Sequence, residues 1–446
     1  MNIKMLKNTI IVVLLALSVF LASQLWFENL PSITLFKLNQ AEVVELQNFV
    51  LPQRLITNFG GNNFKIQYND LTSSSQIFEC DTALEYVLKK GRFVKNAEID
   101  YENLLKKRSY IYEYPFPMPS KVFTEAFGDS GGFLTSRVTF FDSILIIPDT
   151  ESDKLNVLFV DESAGLFYEY EAAEANMANS IHLSIIVREA DKDSDEIHYV
   201  SSKLSKFNMF IDNTYIPIRD NQDLIYTSIL AVNPYVEREK LLNAIEKNVD
   251  VFFDNPSLKQ SGLSTNGVFT YSDEDRVVKY YPSDVLEYIN YESQDPKSSD
   301  LIQDYAAAFG FIMKDEAVLN DFFLAGYDID GVQTTFYFDP AINNLPIMLT
   351  PAMKNLINME HFIEVTVQKG NVVRYKKLVH YFQLLNEKKA AAVDFSRALI
   401  DILDSDDLEK PILTDGILGY NADKDMQLSL FWFFNMDGLI YSKSAQ

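Results

Sequence analysis

FIEVTVQKGNVVRYKKL, residues 362–378, reads as two strands joined by a tight turn, and it decides the fold class. Residues 362–367 and 372–378 are rich in β-branched and aromatic side chains, and Lys369, Gly370 and Asn371 supply the turn chemistry between them. The same grammar recurs upstream. Residues 143–147 and 155–160 form a strand pair around the polar turn 149–154, and residues 50–56 and 63–68 flank Asn58, Gly60, Gly61 and Asn62. Further strands are expected at 108–114, 183–187, 267–271, 276–281, 334–338 and 428–434, with short alternating segments at 207–211 and 215–218. The 108–114 strand runs into Pro115, Pro117 and Pro119, which have no N–H to give a ladder. Helices are expected from an Asp81 cap through Leu84, Val87 and Leu88 to a stop at Gly91, over 169–180, from Pro234 through Ile245, and over 301–314 and 390–403. Strands come in groups with intermittent helices, without βαβ alternation, so the spacing predicts an α+β fold with mainly antiparallel sheets.

Length and charge narrow the class further. The chain has 446 residues, enough for two or three domains, and its 47% hydrophobic content excludes wholesale disorder. Its 63 acidic residues against 39 basic ones give a net charge of −24, which repels phosphate backbones, so no nucleic-acid partner is expected. One cysteine, Cys80, rules out an intrachain disulfide and any cysteine-based zinc site.

The first thirty residues bear on the compartment. Lys4 and Lys7 precede an uncharged apolar run, residues 9–27, with Trp26 at its far end and Glu28 beyond. Nineteen residues make roughly 28 Å of helix, close to the thickness of a hydrocarbon core. Lys4, Lys7 and Trp26 are the expected interface anchors, with the N-terminus cytoplasmic and the bulk of the chain extracytoplasmic. The competing reading is a cleaved signal peptide. Ala22 and Ser23 are small enough for cleavage, but Phe20 and Leu21 stand at their −3 positions. The expected organisation is an anchor at 1–29 and three α+β domains at 30–180, 181–292 and 293–446. Within the anchor, Ser18 and Ala22 are four apart, a small pair that lets a second helix approach closely.

Motifs for catalysis fail on inspection. Gly128-Asp129-Ser130-Gly131-Gly132 matches the surroundings of a serine-protease nucleophile, yet His182, His198, His361 and His380 all follow Ser130, against that family's order. Asp191, Asp193 and Asp195 imitate an EF-hand start, but Glu196 replaces the turn glycine and Ser202 the bidentate glutamate. Phosphate-loop and dinucleotide glycine patterns are absent. No catalytic, cofactor-binding or metal-ligating residues are assigned, and no cofactor is expected.

Several segments, in order, resemble the YycH (WalH) family of membrane-anchored accessory proteins. They are 14–18 with Gln24-Leu25-Trp26, 110–119 (YIYEYPFPMP), 253–257 (FDNPS), Tyr271-Ser272-Asp273 with Arg276, Leu286-Glu287-Tyr288, Gly419-Tyr420 and Trp432. The chain departs from the pattern at Glu274-Asp275, where a glycine-containing turn is expected. The resemblance implies an anchored, three-unit ectodomain that regulates a YycG/WalK sensor histidine kinase of Gram-positive bacteria in cell-wall signalling. It also implies a second, YycI-like accessory protein as partner. The alternatives are an extracytoplasmic solute- or peptide-binding receptor and a cell-surface hydrolase.

Overall fold

β-Branched and aromatic side chains prefer a pleated, half-buried surface, and the structure, a computed structural model, pairs them into strands along most of its length. It describes residues 50–68, 74–127, 134–190, 197–207, 209–218, 224–234, 241–292, 300–315, 322–342, 345–390, 393–405 and 411–445. The chain divides into two units, Met1–Glu45 and Leu46–Gln446, and every described residue belongs to the second.

The first nine strands are β1 (Arg54–Gly60), β2 (Asn63–Tyr68), β3 (Arg92–Glu98), β4 (Ser109–Pro119), β5 (Phe140–Asp149), β6 (Lys154–Asp161), β7 (Leu166–Ala173), β8 (His198–Ser201) and β9 (Tyr215–Ile218). They form one sheet in the order β3-β7-β6-β5-β4-β1-β2-β8-β9. Helices in this stretch are α1 (Ser74–Lys90), α2 (Tyr101–Leu104), α3 (Ser120–Ala126) and α4 (Ala175–Ala190). Both faces of the sheet are buried. Leu84 and Val87 of α1 and Ile181 and Ile185 of α4 share one core with Tyr112, Ile144 and Phe159, while Ile111, Leu145 and Phe167 join a second on the opposite face. Strand period two sends neighbouring residues to these two cores in turn.

The second half adds β10 (Leu224–Val232), β11 (Gln260–Leu263), β12 (Phe269–Ser272), β13 (Arg276–Tyr280), β14 (Val285–Asn290), β15 (Phe322–Asp330), β16 (Gln333–Ile342), β17 (Leu345–Leu349), β18 (Ile363–Gln368), β19 (Asn371–Leu378), β20 (Tyr381–Ala390), β21 (Leu413–Ala422), β22 (Leu428–Met436) and β23 (Leu439–Ser444). Its helices are α5 (Leu241–Val249), α6 (Leu301–Ile312), α7 (Pro351–Ile357) and α8 (Phe395–Ser405). Twelve strands make a long sheet, β11-β12-β13-β14-β19-β18-β16-β17-β21-β22-β23, with β15 on β16; β10 and β20 pair separately. Among the described strands β17 and β21 run parallel and the other pairs run antiparallel. The fold is α+β with mainly antiparallel sheets, as the spacing predicts.

The opening hairpin forms as read, β18 and β19 with a two-residue turn between Gln368 and Asn371. Lys369 (φ 53°) and Gly370 (φ 76°) both take positive φ, the geometry that matches strand twist in such turns. Asp304 of α6 holds the turn from beneath: its Oδ1 accepts the Gly370 N–H at 2.7 Å, and its Oδ2 accepts the Thr334 hydroxyl at 3.3 Å. The prolines of 110–119 lie within β4, yet the β4–β5 register has no partners between Glu113 and Met118, where ladder donors are missing. The two sheets meet through polar contacts. Arg54 pairs with Glu113 of its own sheet and with Asp415 of the other (3.4 Å), while Thr214 donates its hydroxyl to Thr414 O (3.0 Å).

Several expectations are corrected. Residues 183–187 belong to α4, not to a strand, because Ile181 and Ile185 face the core a turn apart while Leu183 and Val187 remain exposed. Apolar residues on both sides of a helix produce alternation that imitates a strand. Residues 169–173, expected as helix, close β7 instead. Asp81 does not cap α1, which begins at Ser74, and residues 381–390 are strand, with α8 starting only at Phe395. The described residues of 207–211 lie in no strand; Phe210 bridges Leu413. The boundary expected at 180/181 falls inside α4, and β14 and β19, on opposite sides of 292/293, are hydrogen-bonded neighbours.

Candidate functional site

The residues singled out in the sequence, Lys4, Lys7, Ser18, Ala22 and Trp26, lie outside the described residues. The GDSGG stretch at 128–132 and the acidic run 191–196 also lie outside them. Among the described residues no helix is long and apolar enough to cross a membrane, and no group of His, Cys, Asp and Glu side chains is placed to hold a metal ion. Three of the described histidines have polar neighbours within the fold. His198 contacts Asn63 at 3.1 Å, and His380 is buried with Asp284 at 3.6 Å.

The most chemically loaded surface lies on the long sheet, on the side away from α6. Ile363, Val365 and Val367 of β18 pack inward with Tyr305 and Ala308 of α6. Strand alternation therefore turns Glu364 and Thr366 the other way. The registers align Thr335, Thr366 and Arg374 across β16, β18 and β19 in one row, and Tyr337, Glu364 and Lys376 in the next. Helix α7 and the residues after it wall these rows. Thr350 caps α7 by accepting the Met353 N–H (3.0 Å), Pro351 takes the first helical position, and Asn358 ends it in left-handed conformation at φ 51°. The result is a cleft of about 330 Å³ lined by side chains from both sheet rows and by Lys354, Asn355, Asn358 and Glu360.

Charge in the cleft is unevenly satisfied. Arg374 donates two bonds to Glu287 Oε1 (2.9 and 2.5 Å), and the Glu287 Oε2 accepts the Tyr281 hydroxyl at 2.6 Å. Lys354 pairs with Glu360 at 3.1 Å. Lys376, 8% exposed, donates to the Asn358 carbonyl at 3.1 Å, and no carboxylate pairs with it among the described residues. Burial, with Arg374 adding repulsion, pulls its pKa below the usual lysine value. Glu364 accepts the backbone N–H of Glu360 (2.8 Å) and, more weakly, of His361 (3.5 Å), and no described cation pairs with it. Next to the cleft, His361 Nδ1 donates to Asp339 Oδ2 at 2.7 Å, and the ring stacks on Tyr337 at 4.7 Å. Burial works against its charged form, but Asp339 outweighs burial and raises its pKa. None of these residues carries a motif. They are the polar half of ordinary strand alternation, and the cap sequence Thr350-Pro351 is the only local signal nearby.

A second cleft, about 400 Å³, lies on the first sheet between β3, α2 and β5 to β7. Its floor is apolar, with Ala97, Leu104, Ile147, Leu158 and Phe167, and Lys95 reaches over Phe167 (5.7 Å) towards Glu169 (3.6 Å).

With this geometry in place, comparison with solved structures is informative. The chain superimposes on the crystal structure of YycH from Bacillus subtilis with a TM-score of 0.57 and 13% identity, covering 89% of this chain and 96% of that one. The fold is that of YycH. An uncharacterized protein from Eubacterium rectale aligns with a TM-score of 0.32 and 11% identity, over 52% of this chain and 86% of its own. No protein-family model and no curated protein matches the sequence. The described segments that resemble the YycH family, from 110–119 to Trp432, are spread through the fold. At the departure from the family pattern, Asp273 does the work of the expected glycine turn, its Oδ1 accepting the N–H groups of Asp275 (3.0 Å) and Arg276 (2.7 Å). Gly419 sits where a Cβ would come within 2.9 Å of Pro346 O, and Trp432 donates its indole N–H to Val393 O at 2.8 Å.

Proposed function

We propose that this chain is a membrane-anchored, non-enzymatic regulator of a WalK/YycG-type sensor histidine kinase, acting alongside a YycI-like second accessory protein. The observation that carries the reading is the YycH fold extending over 89% of the chain. It is supported by the ordered segments that resemble that family and by the apolar run at 9–27 behind Lys4 and Lys7. In this reading the apolar run 9–27 forms a helix that lies beside the kinase's own membrane helices and biases their packing. A regulator shifts such an equilibrium only by its differential affinity for the two arrangements, so the helix face matters. Close approach uses Ser18 and Ala22, where larger side chains hold the backbones apart.

The test compares the full-length wild type with a Ser18→Leu/Ala22→Leu variant at equal membrane abundance. Co-purification of the kinase and kinase-dependent reporter output should both fall, by roughly fivefold or more for a coupling of about 1 kcal/mol. Unchanged values in both assays remove this face as the contact. Unchanged values after exchange of the whole run for an unrelated span reject regulation through the helix.

A further inference from the structure

The cleft between β16, β18, β19 and α7 holds a lysine and a glutamate, Lys376 and Glu364, that form no ion pair among the described residues. Glu287, the other register partner of Lys376, turns to Arg374 and Tyr281. Glu364 and Lys376 are register partners on adjacent strands, the placement at which opposite charges ordinarily meet. Here they do not pair. Lys376 turns to the Asn358 carbonyl, Glu364 to backbone N–H groups of the loop after α7, and the cleft lies beside both. A nearly buried ammonium with one acceptor has N–H groups left to satisfy, and leaving them dry is costly. Arg374 is engaged by Glu287 through its Nε and one terminal nitrogen, and its half-exposed side chain retains N–H groups on the same side as Lys376. The hydroxyls of Thr335 and Thr366, 3.0 Å apart, continue the Arg374 row beside Glu364.

We propose that this cleft binds a small zwitterion, an α-amino acid or short peptide with free termini. Its carboxylate meets Lys376 and Arg374, and its ammonium meets Glu364. A volume of about 330 Å³ admits a dipeptide and little more. A purely anionic ligand would satisfy the cations but face Glu364 and Glu360, so both termini contribute to recognition. The proposal rests on the cleft alone and stands or falls independently of any kinase.

The experiment is calorimetric titration of the purified full-length chain with L-alanyl-L-alanine. Parallel titrations use the N-acetylated dipeptide, the C-terminal amide and inorganic phosphate. The free dipeptide should saturate one site with a Kd between about 10 µM and 1 mM, and either blocked form should bind at least about tenfold more weakly. Lys376→Met and Glu364→Gln should each reproduce the loss seen with the corresponding blocked ligand. Lys95→Met in the cleft of the first sheet should leave binding unchanged. Arg374→Gln, at a half-exposed side chain, supplies the cation-side test should Lys376→Met fail to fold. Absence of saturation at about 10 mM overturns the proposal. So does equal binding of the acetylated dipeptide or of phosphate, which would make the site a simple anion site, and so does binding that survives both cation variants.

Discussion

The two sheets hold ionisable groups away from water by different means. In the first sheet region, half-buried carboxyl groups lie under tyrosine hydroxyls. Tyr112 donates to Asp81 at 3.0 Å and Tyr101 to Glu162 at 2.5 Å, and neither acid has a cation partner among the described residues. Burial raises Asp81 to about 6 and Glu162 to about 7, and the hydroxyls only moderate the rise. The second sheet buries lysines and carboxylates together, Lys376 and Lys377 with Glu287, Asp304 and Asp315. Tandem lysines on β19 point to opposite sides, Lys376 into the polar cleft and Lys377 into the core, where Asp315 pairs with it and also accepts the Tyr375 hydroxyl at 3.0 Å. A neutral acid is a tolerable buried group because protonation removes its charge near physiological pH, whereas a lysine must find a partner or stay near water. The first region therefore depends on pH and the second on pairing.

The largest effect should come from breaking the pair in the second region. Lys377→Met strands Asp315 in the core and is expected to cost about 3–5 kcal/mol in urea unfolding. Adding Asp315→Leu should recover most of that loss, because the pair as a whole contributes little beyond an apolar substitute. A double variant as unstable as the single one would show that the pair does more than neutralise itself.

Asp81→Asn probes the first region, and its sign is the reverse. The folded-state pKa of Asp81, about 6, lies above the ordinary aspartate value of 3.8, so the folded state binds the proton more tightly. This group's destabilisation is therefore fully present above about pH 6 and disappears as pH falls towards 4. Asparagine keeps an acceptor for Tyr112 without the charge. The variant should be more stable than wild type at pH 7–8, by at most about 3 kcal/mol, with the difference vanishing near pH 4. Equal stability at both pH values would mean that water reaches Asp81.

The smallest effect is expected at Lys376. Lys376→Met should change unfolding stability by less than about 1 kcal/mol, since relief of a buried charge offsets the lost bond to Asn358. A cost comparable with that of Lys377→Met would place Lys376 among the structural cations and erase the contrast between the tandem lysines.

Legibility in the sequence followed the range of the forces involved. The β18–β19 hairpin and the β5–β6 pair could be read because their registers are set locally, by alternation and by a turn of two or a few residues. Strands β10 and β20 could not, since they pair across more than a hundred residues and no turn announces them. Helix α4 was misread because Leu183 and Val187 are apolar on its exposed side, and only packing against the first sheet shows which face is buried.

The candidate cleft was invisible for a related reason. Lys376 and Glu364 occupy the polar positions of strands, the commonest place for such residues, and nothing in their spacing separates a solvated face from a binding one. The sequence by itself determined the α+β class, the local hairpins and the acidic, motif-poor chemistry, because composition and nearest-neighbour geometry suffice for those. Only the tertiary structure decided that α7 closes over one face of the long sheet, and that Lys376 is buried there bonded to the Asn358 carbonyl and not to a neighbouring carboxylate. Burial and pairing depend on which distant segments meet, and one chain read residue by residue does not contain that information in any local pattern.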